Sequence, residues 1–193
     1  MYILFEGVDT SGKSTQIDLF ATRKPNVLTT KEPGGTDLGV RLREILLQSD
    51  AKISFNAELL LFLADRAEHY AKVIANNSDK LIISDRGFIS GISYAKLNHP
   101  KLSLDFLLRI NKFALNDSLP EKIVLFETNA TLIKQRLGTK TQDKIEQRGI
   151  EYLLAVQSMM LETIKILQLP YMCVDAAWSV EKIYKKIEEF IDD

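Results

Sequence analysis

Short apolar runs alternate along the chain with longer segments whose apolar residues recur every three or four positions, the pattern of strands interleaved with helices. YILFE (2–6), NVLTT (26–30), KLIIS (80–84), KIVLF (122–126) and YMCVD (171–175) read as strands. Several are almost continuously apolar, as strands covered on both faces should be. Helical periodicity predicts helices at 13–22, 37–48, 56–77, 103–116, 129–137, about 145–167 and 179–191. Ser179 can cap the last of these, although Lys182 three residues on leaves the capping box incomplete. The alternation predicts an α/β fold with a parallel sheet covered by helices. No internal repeat or low-complexity segment interrupts it.

Composition narrows the picture. With 193 residues, 46% of them hydrophobic, the chain can bury roughly 70% of its extended surface as one domain spanning 1–193. Lys plus Arg number 25 against 26 Asp plus Glu, so no broad cationic face is expected for a nucleic-acid backbone, and small acidic ligands suit the balance better. The single cysteine, Cys173, lies in PYMCV and is expected to be a buried core thiol. MYILFEG passes from an apolar run into a glycine turn without a basic leader or a 20-residue apolar span, which predicts a cytoplasmic protein without a membrane partner.

The strongest local signal is GVDTSGKS, residues 7–14, which matches the glycine-rich phosphate-loop pattern between a strand and a helix. Gly7 and Gly12 permit close turns, so backbone N–H groups from Gly7, Val8, Asp9, Thr10, Ser11, Gly12, Lys13, Ser14 and Thr15 can surround phosphate at a helix N-terminus. Lys13 supplies a cation for the terminal phosphates, and Ser14 a hydroxyl ligand for magnesium. The pattern implies nucleoside triphosphate binding and leaves GTPases, motors and kinases open. Asp9 is the oddity, a carboxylate inside a loop built for anions.

Later segments discriminate. KEPGGTDLGVRLREILL (31–47) is a glycine-containing loop feeding a helix whose Leu38, Leu42, Ile45 and Leu46 can face the core; Arg41 and Arg43 are either solvated or a clamp for a second phosphate. In NAELLLFLADRAEHYAKVIANN (56–77), Leu59, Leu63, Ala67, Tyr70 and Ile74 form a core-like stripe, while Glu58, Phe62, Arg66 and His69 form another. Phe62 could stack on a base and Arg66 donate to its edge, with Glu58 either anchoring Arg66 or completing the helix charge pattern. His69 is expected to be a packed, hydrogen-bonded histidine. In DRGFISGISY (85–94), Asp85 emerges from a strand where it can organise magnesium, Arg86 can balance a transferring phosphoryl group, and Ser90 and Tyr94 can wall a nucleoside. GTKTQDKIEQRG (138–149) reads either as a solvated connection or as a lid, with Arg136, Lys140, Lys144 and Arg148 as candidate cations.

Taken in order, GVDTSGKST, KEPGGTDLGVRLR, ELLLFLADRAEH, DRGFISGISYA, DKIEQ and CVDA resemble the bacterial thymidylate kinases over nearly the whole chain. The resemblance implies a P-loop NTPase-like three-layer fold with a five-stranded parallel sheet and a short lid, commonly assembled as a homodimer. It implies ATP and Mg2+ on the donor side and dTMP as acceptor. Asp9 would contact the acceptor sugar hydroxyl, Arg43 and Arg86 its phosphate, Phe62 and Arg66 the thymine, and Glu32 would lie in the acceptor loop. Ser14 and Asp85 would serve the metal, and Lys13, Arg86, Asp9 and Lys144 the transfer itself.

The chain departs from the family pattern in several places. Lys31 and Lys144 stand where arginine is frequent, Gly87 replaces an aromatic residue, Ser93 an alanine and Ala95 a glutamine, and Ala155 and Gln157 replace arginines. Other pyrimidine monophosphate kinases and a non-catalytic ATP-binding protein are the competing readings. A GTPase would need NKxD, which NKFA (111–114) lacks.

Overall fold

A computed structural model describes residues 1–50, 52–137 and 148–193. Five parallel strands, β1 (Tyr2–Glu6), β2 (Val27–Lys31), β3 (Leu81–Asp85), β4 (Lys122–Glu127) and β5 (Tyr171–Asp175), form one sheet in the order β2-β3-β1-β4-β5. Eight α-helices accompany them among the described residues: α1 (Lys13–Arg23), α2 (Asp37–Arg43), α3 (Phe55–His69), α4 (Phe88–Asn98), α5 (Leu104–Ala114), α6 (Ala130–Leu137), α7 (Ile150–Leu167) and α8 (Val180–Asp192). The predicted strands lie within one residue of those found. Helix α4 went unpredicted, because FISGISYAKLN buries residues around much of its circumference and so carries little amphipathic period. The predicted helices at 37–48 and 56–77 each end in irregular turns, π-helical at Glu44–Gln48 and Tyr70–Ile74, with a 3-10 turn at Ala75–Asn77. Ser179 does cap α8, accepting from the Lys182 N–H at 3.3 Å.

Strand β1 shows why the sheet has two cores. Its side chains alternate faces: Tyr2 and Leu4 pack with Ile89, Ile92, Leu107, Val156 and Met160, whereas Ile3 and Phe5 pack with Phe20, Phe126, Tyr184 and Ile187. Burying each of these large apolar side chains contributes roughly 1.5–3 kcal/mol. The edge strands are less covered, and Cys173 on β5 is only half-buried, not the core thiol expected. Other apolar expectations also shift. Leu42 of α2 is buried, but Leu38 is 45% and Ile45 41% exposed. On α3 the most buried residues are Asp65, Arg66 and His69, while Ala67 of the predicted core stripe is exposed.

Register assembles the site. Phe5 lies beside Asp85, and Asp85 beside Lys31. The segments that follow β1, β2 and β3 therefore leave the sheet at one end, in the crevice where α/β folds bind ligands.

Candidate active site

Between β1 and α1 the chain makes the phosphate loop. Gly7 has φ 147°, and a Cβ there would sit 2.8 Å from the Phe126 carbonyl oxygen, so the loop can lie against β4 only with glycine at this position. Gly12, at φ 96°, turns the chain into α1, and Thr10 is also left-handed at φ 64°. Lys13 folds back under the loop, donating to the Gly7 and Val8 carbonyls at 2.9 and 3.1 Å and to Ser11 Oγ at 3.5 Å. Burial, aided by Arg86 and opposed by Asp85, Asp9 and Glu6, pushes its ammonium down to about 8.

A cleft of about 620 Å3 opens over this loop, lined also by Ser14, Thr15, Asp85, Arg136 and Trp178. Asp85 Oδ1 is buried and finds no hydrogen-bond partner among the described residues, although Lys13 Nζ lies 3.9 Å away. An orphaned carboxylate oxygen in the same cleft as the exposed Ser14 hydroxyl is a hard, oxygen-only donor set, which suits Mg2+ carried in on phosphates. Arg136, predicted as a lid cation, instead spans the loop and the β5–α8 connection, donating to the Thr10 and Ala176 carbonyls, both at 2.7 Å. Lys140 and Lys144 lie outside the described residues.

A second, narrower cavity of about 120 Å3 runs under α4, lined by Phe62, Arg66, Ser90, Tyr94, Glu58 and Arg148 among others. Phe62 and Arg66 thus share a cavity, as their one-turn spacing predicted. Glu58 lines it too, but does not anchor Arg66. That guanidinium, only 3% exposed, donates from Nε to Glu32 at 2.8 Å and from one terminal nitrogen to Asn111 at 2.6 Å. Glu32 also meets His69 Nδ1 at 2.8 Å, and His69 Nε2 meets Thr30 Oγ1 at 2.7 Å. Burial opposes the Glu32 charge, but Arg66 and His69 outweigh it and hold the carboxyl below its usual range. Asp65 secures the same loop by accepting from the Gly34 N–H at 2.9 Å. Tyr94 Oη is buried without a hydrogen-bond partner among the described residues, and burial pushes the phenol up to about 12.

The two cavities share four residues: Asp9, Glu32, Arg43 and Arg86. Arg86 is left-handed at φ 69°, an unusual backbone for a residue with a side chain. Its guanidinium donates to Asp9 at 2.7 Å, to the Gly7 carbonyl at 2.8 Å and to Ser90 Oγ at 3.2 Å. Burial works against its charge, and Asp9 more than offsets that, raising the guanidinium further. Arg43 donates to the Pro33 carbonyl at 2.8 Å. Sequence reasoning missed Asn111 and Glu6. Glu6 is fully buried and accepts from both the Ser90 N–H and hydroxyl, and burial raises its carboxyl against those bonds. Its only sequence signal is an acidic residue closing an apolar strand.

A cleft over a phosphate loop, abutting a cavity with an aromatic and an arginine, can serve a two-substrate phosphotransferase, and comparison with known proteins gives the family. The family model described as thymidylate kinase matches residues 5–187. A thymidylate kinase of Campylobacter concisus is 55% identical, over all of this chain and 99% of that one. Another from a Sulfurovum species is 52% identical, over 99% of each. The crystal structure of the Ehrlichia chaffeensis thymidylate kinase, 23% identical, has the same fold, with a TM-score of 0.77 over 99% of this chain and 98% of that one. No described helix is long and apolar enough to cross a membrane. On the matched span, the full-length identities and a fold that places the predicted motifs at one sheet end, this chain belongs to the thymidylate kinase family.

Proposed function

We propose that the larger cleft holds ATP, the smaller cavity holds dTMP, and the γ-phosphoryl group passes directly between them at Asp9, Glu32, Arg43 and Arg86. The observation that carries this reading is the sharing of those four residues by both cavities. ATP-dependent phosphorylation of dTMP to dTDP is the activity of the family to which the chain belongs. The nucleophile is an acceptor phosphate oxygen, anionic near neutral pH, so no protein base is needed and catalysis rests on alignment and charge. Lys13 and the loop N–H groups hold the donor phosphates, and Arg86 and Arg43 offer guanidinium forks to the acceptor phosphate. Asp9 borders the sugar end of the acceptor cavity, where a carboxylate can accept from a hydroxyl. Phe62 stacks on the thymine and Arg66 donates to its edge. Ser14 and Asp85 would hold Mg2+, which when bound neutralises phosphate charge. An ADP-release assay with thymidine, deoxyuridine, cytidine, uridine and adenosine monophosphates tests the assignment. ADP should form fastest with dTMP, and a rate independent of the added monophosphate would overturn it.

A homodimer is part of the same proposal. Leu60 is 64% and Phe113 87% exposed, and they lie with exposed Leu38 on α3, α5 and α2, where α3 packs against both other helices. Large apolar side chains left exposed on three neighbouring helices favour burial against a second copy. Light scattering should give twice the chain mass for the wild type and a lower mass for Leu60→Glu; a monomeric wild type would contradict it.

A further inference from the structure

We infer that Asn111 is a positioning residue for acceptor-base discrimination: it fixes Arg66 so that the remaining guanidinium N–H groups face the acceptor cavity. This rests on the reading that Arg66 addresses the base. Asn111 belongs to α5 and is 2% exposed. Its amide has one workable orientation. Nδ2 donates to the Leu107 carbonyl at 2.7 Å, one turn back on its own helix, which leaves Oδ1 to accept from Arg66 at 2.6 Å. The reversed amide would set two donors against each other at Arg66 and two acceptors at Leu107.

The guanidinium is then held at two corners, Nε by Glu32 and a terminal nitrogen by Asn111. Of its five N–H groups, three remain for other partners. On the cavity side the approach is open because residue 91 is glycine. A Cβ there would come within 3.2 and 3.3 Å of the two terminal Arg66 nitrogens. Gly91 and Arg66 line the cavity together with Asn111. A guanidinium carries direction as well as charge, so letting its plane swing weakens base reading without altering the donor cleft, in which neither Arg66 nor Asn111 takes part.

Steady-state kinetics on Asn111→Leu and Asn111→Asp decide the matter. With the acceptor atom gone, Asn111→Leu should raise KM for dTMP and lower the preference for dTMP over deoxycytidine monophosphate, each by about tenfold, with KM for ATP within about twofold. Asn111→Asp keeps an oxygen opposite Arg66 but places its other oxygen against the Leu107 carbonyl. It should retain the preference, even at a lower melting temperature. If Asn111 serves only the helix, Asn111→Asp loses as much as Asn111→Leu, which overturns the inference. So does an unchanged preference in Asn111→Leu, or in Asn111→Ala should the leucine variant fail to fold. Loss of preference in Arg66→Ala, alongside a wild-type preference for dTMP, separates failure at Asn111 from failure of the base-reading assignment itself.

Discussion

Lys13→Met is expected to lower kcat/KM for ATP by about 10^3-fold, the scale on which removal of a group that stabilises transferring charge is felt. Lys13 is buried beneath the phosphate loop, tied to its Gly7 and Val8 carbonyls. Methionine fills the same volume without the charge. The wild type should also carry a pH signature that the variant lacks. The ammonium is pushed down to about 8 by burial and by Arg86, against the pull of Asp85, Asp9 and Glu6. The free enzyme therefore loses its cation as pH rises through about 8, whereas bound triphosphate favours the charged form. Since kcat/KM reports the free enzyme, it should fall above that pH, while kcat holds to higher pH. The stability sign is opposite to that of a salt-bridged lysine. The folded value lies below the ordinary 10.5, so between about 8 and 10.5 the unfolded chain binds more protons and stability rises with pH. Wild type should gain on Lys13→Met across that window in thermal melts. A Lys13→Met enzyme within tenfold of wild type would remove Lys13 from the donor site.

Arg86→Ala should be comparably severe, with kcat/KM for dTMP lower by about 10^3-fold and most of the loss in kcat. The guanidinium ties together the phosphate loop at Gly7, the carboxylate of Asp9 and the α4 hydroxyl of Ser90. Without it, Asp9 would lose the guanidinium that partners its carboxylate at 2.7 Å, and that negative charge would weigh more heavily against an anionic acceptor. Arg86→Lys restores charge without the planar fork and should recover about tenfold of the loss. Full recovery by lysine would mean that charge alone matters, and an active Arg86→Ala enzyme would place the transfer elsewhere.

The places of these two residues were legible in the sequence, because each sits in a short motif at a strand end, where local pattern and topology agree. Phe62 and Arg66 were legible as a pair from helical spacing. What holds Arg66 was not, since Glu32 and Asn111 lie 34 and 45 residues away and reach it only through the packing of the β2 loop, α3 and α5. For the same reason α3 was read by its leucines, yet its deepest positions are Asp65, Arg66 and His69. A polar residue on a helix reads as solvated until its partner is known. Helix α4 shows the complementary failure. Buried around much of its surface and carrying Gly91, it offers little period to detect, although it supplies one wall of the smaller cavity. Asp9 changed most in meaning. Alone it looked like a misplaced charge in an anion loop; in the fold its carboxylate meets Arg86 where the two cavities join.

On the proposed function, both substrates are held at once and phosphate crosses directly between adjoining cavities. Initial rates measured over a grid of ATP and dTMP concentrations test it most directly. Double-reciprocal lines should intersect, as a ternary complex requires; parallel lines, the sign of a phosphorylated enzyme intermediate and a ping-pong exchange, would contradict it.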